Sequence, residues 1–134
     1  MFEQLEIHTS SHDCLVDLTA QVQQYLARSG IREGICTVYV PHTTAGVTIN
    51  ENADPTVRAD LLKALDQMVP WRSNYEHAEG NSAAHIKASL MGASVSILVL
   101  DGQLRLGIWQ GVYLAEFDGP RTRTVSVTVL PGMQ

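Results

Sequence analysis

From Ser94 to Leu130 the sequence is a near-continuous succession of strand signals, and this constrains the fold more than any other feature. Ser94 to Leu100 is rich in Val, Ile and Leu. Asp101-Gly102 is a hairpin signal, because these residue types accept the positive φ that a two-residue turn demands. Gln103 to Trp109 and Gly111 to Phe117 read as the next two strands. Asp118-Gly119-Pro120 turns the chain again, and Thr122 to Leu130 sets Val125, Val127 and Val129 on one face at the two-residue period. Strands joined by such short turns pair antiparallel.

The first part of the chain mixes strands with helices. Phe2 to Thr9 alternates apolar and polar residues around Leu5 and Ile7, which fits a strand. Asp13 can cap a helix in which Leu15, Leu18, Val22 and Leu26 recur at helical spacing, and Gly30 supplies the stop. Ile35 to Val40 reads as a strand closed by Pro41, and Val47 to Ile49 as the next. Asp54-Pro55 is a strong helix start, a capping carboxylate followed by proline at the first helical position. Leu61, Leu62, Leu65 and Met68 give that helix its buried face. Residues 71–81 read as loop, and Ala83 to Met91 as a short helix ending at Gly92. The sum is an α+β domain of six or seven mostly antiparallel strands, two main helices and one short one.

At 134 residues the chain fits one domain, residues 1–134, able to bury a core without disulfides. The net charge of −5 argues against non-specific nucleic-acid binding, which needs clustered Lys and Arg. Cys14 and Cys36 show no metal-ligand spacing and read as structural thiols. No signal peptide is read at the N-terminus, and the longest apolar run, Ile97 to Leu100, is too short for a bilayer, so the expectation is a cytoplasmic protein with no membrane partner. Charged residues are only 17% of the chain, and a surface that sparse in charge fits self-association as well as a compact monomer.

Reactive side chains concentrate in three segments, each at a loop or the end of an element, where chemistry is usually placed. The first is Pro41-His42-Thr43-Thr44-Ala45-Gly46, running on to Asn50-Glu51-Asn52-Ala53-Asp54. Thr43 and Thr44 offer hydroxyls, and such a turn can present backbone N–H groups to an anion or satisfy its own backbone. Asp54 has a sufficient role as a cap. Glu51 is either a base or metal ligand, or simply solvated. In the second segment, His77 and His85 flank Gly80 and Asn81. Asn81 can cap the short helix, whose N-terminus would attract phosphate or carboxylate. Lys87 lies on a different face of that helix from His85. His42, His77 and His85 together can supply the three nitrogens of a zinc site with one open position. In the third, Trp109 can stack on a planar ring or pack in the core, and Gln110 can bond a heterocycle edge. Glu116, Asp118 and Arg121 surround a turn, as a surface ion pair or with Arg121 as a bidentate phosphate ligand. His8 and His12 read as exposed.

These segments, in this order, resemble the YjbQ-like family, also called the secondary thiamine-phosphate synthase family. The likeness rests on Pro41 to Ala45 through Asn50 to Pro55, on Glu79-Gly80-Asn81 to His85 through Leu90, on Leu106-Gly107-Ile108-Trp109-Gln110-Gly111, and on Glu116 to Arg121. It spans nearly the whole chain, departing at Ile108 and Ala83. The resemblance implies a compact β-sandwich-like barrel that assembles as a homotrimer, with a pocket near a subunit interface built around His42, His77 and His85. It also implies joining of hydroxymethylpyrimidine diphosphate to thiazole phosphate with release of pyrophosphate. On that reading His42, Glu51, His85 and Arg121 are catalytic. Thr43, Thr44, Asn81, Lys87, Trp109, Gln110 and Glu116 contact a phosphorylated substrate. The cofactor is a divalent metal, zinc by its fit to imidazole or magnesium by its fit to diphosphate. Two alternatives stay open: a metal-dependent hydrolase with Glu51 as base, and a protein that binds an anionic metabolite without turnover.

Overall fold

The computed structural model describes residues 2–132. Eight strands and three helices follow in the order β1 (Phe2–His8), β2 (Cys14–Asp17), α1 (Thr19–Ser29), β3 (Gly34–Tyr39), β4 (Ala45–Glu51), α2 (Pro55–Met68), α3 (Ser82–Met91), β5 (Ser94–Leu100), β6 (Gln103–Leu104), β7 (Gln110–Glu116) and β8 (Thr122–Pro131). They form a five-stranded sheet in the order β1-β8-β3-β5-β6 and a three-stranded sheet in the order β2-β7-β4. Every pairing is antiparallel. The α+β class and the antiparallel ladders are as the sequence predicts.

The main core lies between the sheets. Cys36, Val38, Ile97, Val99, Val125, Val127 and Val129 from the larger sheet meet Ala45, Val47, Val112 and Leu114 from the smaller one, with Val22, Tyr25 and Leu26 of α1 closing the side. The two-residue period of β8 does what it must, since one slip would send all three valines to the outer face. Burial pushes the Cys36 thiol up to about 11, which leaves it protonated and inert. A second cluster sits on the other face of the smaller sheet, where Leu65 of α2 and Ala84 and Ala88 of α3 cover Ala115 and Phe117. With cover on both faces, β7 from Gly111 to Glu116 is buried throughout.

Three sequence expectations need correction. Residues 14–17 pair with β7 as a strand, and the helix begins only at Thr19, after Asp17 Oδ1 accepts a hydrogen bond from the Thr19 amide at 2.9 Å. The helical spacing of Leu15 and Leu18 is incidental: Leu15 packs on the second cluster, Leu18 in the main core. The strand expected over Gln103 to Trp109 ends at Leu104, because Gly107 opens a turn in which the Gln110 amide donates to the Gly107 carbonyl at 3.0 Å. Met68 is 68% exposed, so α2 buries a narrower face than its leucines suggest. Its start is as predicted, with the Thr56 amide donating to Asp54 Oδ1 at 2.9 Å and proline in the first turn. Among the described residues no helix is long and apolar enough to cross a membrane.

Candidate functional site

The ladder between β4 and β7 sorts the expected site residues into two groups. Ala45 pairs with Glu116 at one end and Glu51 with Gln110 at the other, six residues away. At about 3.4 Å per residue the ends are some ~20 Å apart. The histidines gather at the first end; Glu51, Trp109 and Gln110 belong to the second.

At the first end two cavities adjoin. One, of about 290 Å³, is lined by Thr43, His77, Asn81, His85 and Arg121 together with the acidic residues Glu79 and Asp118 and the edge of Thr44. The other, of about 470 Å³, is lined by His42, Ala45, Ala88, Ser89, Gly92 and Ala93. Thr43 and His85 belong to both walls. The distant segments of sequence that carry His42, His77 and His85 therefore do converge.

Each group has an identifiable support. His42 Nε2 sits 3.0 Å from the Thr124 carbonyl oxygen and 3.1 Å from the Thr124 amide nitrogen, so either neutral tautomer finds a partner on β8. Its Nδ1 is the nitrogen that β8 leaves unengaged. Burial, with the charge of Arg123 second, holds the His42 pKa below its ordinary value despite the Thr124 contact and Glu116. The His77 and His85 rings meet edge to face at 5.5 Å between centroids. Asn81 Nδ2 donates to Asp118 Oδ2 at 3.0 Å, and Asn81 Oδ1 is buried with no hydrogen-bond partner. Asn81 was expected to cap α3, but its side chain makes no cap bond; the helix enters the cavity wall with its first-turn amides free of a side-chain cap. Arg121 lies against the same aspartate, Nε donating to the Asp118 carbonyl at 2.8 Å and a terminal nitrogen 3.2 Å from Asp118 Oδ2, while its side chain stays half exposed.

Thr44 and Glu116 belong to the frame beneath. Glu116 is fully buried and satisfied: Oε1 accepts from Arg123 Nε at 2.8 Å and Thr9 Oγ1 at 2.9 Å, and Oε2 accepts from the Asp118 amide at 3.0 Å and from Arg123 Nη2. Burial pushes its pKa up, but the Arg123, Asp118 and Thr9 hydrogen bonds and the Arg123 charge outweigh it and hold the carboxyl below the usual range. Arg123 then reaches Thr44, donating from Nη2 to Oγ1 at 2.8 Å. Arg123 and Asp118 are the residues sequence reasoning undervalued; their alternation with Glu116 and Arg121 about Gly119-Pro120 was the available signal.

Lys87, expected to touch substrate, is 1% exposed and is not among the residues lining either cavity. Its Nζ donates to Asp13 at 2.9 Å and Asp66 at 3.0 Å, tying α3 to α2 and to the loop before β2. Burial pulls its pKa down, yet the two carboxylates more than compensate and raise it. Glu51, expected as a base, has Oε2 accepting from the amides of Ala53 at 2.9 Å and Asp54 at 3.4 Å. Gln110 Oε1 accepts from the Gly107 amide at 2.7 Å, and Trp109 is 60% exposed. All three stand at the far end of the ladder within one chain, beside Tyr113, whose hydroxyl donates to Asn52 Oδ1 at 2.7 Å and accepts from Arg58 at 3.0 Å. The three-histidine metal set is also corrected. Among the described residues no group of three His, Cys, Asp or Glu is placed to hold a metal ion.

The family model described as "UPF0047 protein YjbQ-like" matches residues 3–132. The chain belongs to the UPF0047, YjbQ-like family. It is 48% identical to the UPF0047 protein YugU of Bacillus subtilis, over 97% of this chain and 99% of that one. It is 47% identical to a UPF0047 protein of Methanocaldococcus jannaschii, over 97% and 94%. The fold overlays a crystal structure of a YjbQ/UPF0047 family protein from Clostridium acetobutylicum with a TM-score of 0.94 at 50% identity, covering 96% of this chain and 99% of that one. It also overlays a YbjQ-like protein of unknown function from Sulfolobus solfataricus, TM-score 0.94 at 33% identity, covering 98% and 97%. These comparisons correct the expected activity. The relatives carry only a UPF0047 designation, and the Sulfolobus protein is described as being of unknown function. Neither thiamine-phosphate synthesis nor the metal-dependent hydrolysis weighed beside it is indicated by them.

Proposed function

We propose that the cleft at the start of α3 binds a small phosphorylated molecule, and that the protein works as a homotrimer. The observation that carries the first part is the convergence of Arg121, His77, His85, Thr43 and the uncapped end of α3 on one small cavity. A guanidinium supplies bidentate N–H donors, helix amides add unsatisfied donors, and imidazoles add more when protonated. Arg121 already lies against one carboxylate, Asp118, so the anion competes for a side chain held in place. His42 and His85, which line one cavity together with Thr43, can exchange a proton with the bound molecule.

Support for self-association comes from the outer face of the larger sheet. Leu98, Ile35 and Leu130 stand opposite one another across β5, β3 and β8 and are 67%, 45% and 64% exposed. A row of large apolar side chains in register is what an interface buries.

Thermal unfolding with inorganic phosphate tests the binding. Saturation to 100 times Kd adds about 2.7 kcal/mol, and a chain of this size gains roughly 4 °C per kcal/mol. A rise near ten degrees is expected, abolished in Arg121→Ala. No rise in the native protein, or the same rise in the variant, refutes the reading.

A further inference from the structure

We infer that the ligand is an organic phosphate monoester bound in two parts, its phosphate beside Arg121 and its uncharged body in the adjoining chamber, with Ser89 and Ala93 limiting the size of that body. This rests on the phosphate reading above and adds the other half of the ligand.

The chamber differs in kind from the cavity it adjoins. The phosphate side carries Arg121, His77, Asn81, Glu79 and Asp118. The chamber side carries no Lys, Arg, Asp or Glu; its walls are the small side chains of Ala45, Ala88, Ser89 and Ala93, the backbone of Gly92, and His42. An inorganic ion needs only the first. At about 470 Å³ the second is within the range of sites that hold whole small molecules. Thr43 and His85 stand where the two meet, so the ester linkage passes between a hydroxyl and an imidazole.

The chamber is also rigidly made. The Val47 amide donates to the Gly92 carbonyl at 3.1 Å and the Val40 amide to the Ala93 carbonyl at 2.8 Å, stitching the end of α3 to the smaller sheet and to the end of β3. Helix and strand touch at Gly46, where a Cβ would lie 2.7 Å from the Gly92 oxygen and 2.9 Å from Met91 Cβ. Only glycine permits that approach. It seats α3 so close that Ala88 and Gly92 become wall rather than surface. Ser89 Oγ donates to the His85 carbonyl at 3.0 Å and is thus turned back on its own helix, which leaves His42 as the principal polar side chain of the chamber wall away from the Thr43 and His85 junction. A body that offers one hydrogen-bonding group to an imidazole, and is otherwise apolar or flat, is the match.

Isothermal titration with two probes, inorganic phosphate and phenyl phosphate, tests this on the full chain and on Ser89→Trp and Ala93→Trp. Both positions are exposed, so a large side chain is accommodated without disturbing the core. Phenyl phosphate is expected to bind the native protein at least tenfold tighter than inorganic phosphate. Both variants should lose that advantage while their inorganic phosphate affinity stays within twofold. Equal affinity of the native protein for the two probes overturns the two-part site, as does an undiminished phenyl phosphate affinity in both variants. Failure of inorganic phosphate itself to bind removes the phosphate reading, and this inference with it.

Discussion

Replacing Glu116 by Gln removes one charge of a buried pair without changing its shape. In the native protein this carboxylate takes four hydrogen bonds, two of them from Arg123, which is 3% exposed. The substitution leaves the guanidinium buried against a neutral amide. Breaking such a pair costs about 3–5 kcal/mol, because the remaining charge has neither water nor a counter-ion. At roughly 4 °C per kcal/mol the melting temperature should fall by about 12–20 °C. Removing both charges in Glu116→Gln with Arg123→Met should recover part of that loss, since no uncompensated charge remains. The pH dependence adds an independent sign. The folded Glu116 pKa lies below its unfolded value, so its contribution is present above the unfolded pKa and is lost as pH falls through the folded one. Urea denaturation of native protein and Glu116→Gln between pH 7 and pH 3 should therefore converge toward the acid end. A single-variant loss under 1 kcal/mol, or a gap that widens in acid, would refute the account of this pair.

Lys87→Met should cost about 1–2 kcal/mol at pH 7, an apolar stem replacing a paired ammonium in the same niche. Because the folded Lys87 pKa is raised, its contribution is full below the unfolded value and declines as pH rises through the folded one, so native and variant melting temperatures should approach each other in strong alkali. In an NMR titration the His42 ring should protonate at lower pH than a free histidine. Its coupling to folding has the opposite sign to that of Lys87, stability falling as pH drops through the unfolded His42 pKa toward the folded one. Leu98→Asp should convert a trimer to monomer in light scattering while leaving the circular dichroism spectrum unchanged, since the side chain faces outward; a monomeric native protein would remove the trimer proposal.

Local chemistry made most of the elements legible. The Asp54-Pro55 start of α2, the Asp101-Gly102 hairpin and the valine alternation in β8 each depend on residues adjacent in sequence, and the structure carries all three. What failed depended on distance. Cys14 to Asp17 is a strand because β7 lies beside it, and nothing within that segment says so. Lys87 looked available because its partners, Asp13 and Asp66, lie far away in the chain. Glu116 looked like a ligand contact for a different reason: its neutralising Arg123 lies close by, across the Gly119-Pro120 turn, but the identity of the two residues does not say that both point inward. The meeting of His42, His77 and His85 was legible as a set of unusual residues in loops, but the commitment of His42 Nε2 to β8 was not, because it is made to a backbone and leaves no trace in residue identity.

The shared ladder of β4 and β7 has a consequence for how this protein can change. One tip bears the imidazoles and Arg121, the other the tryptophan turn, and β7, which runs between them, is buried from Gly111 to Glu116. Alterations at either tip are thus mechanically insulated from the opposite one by a stiff spacer. Descendants of this scaffold can retune what they grip at one extremity while the other keeps its shape.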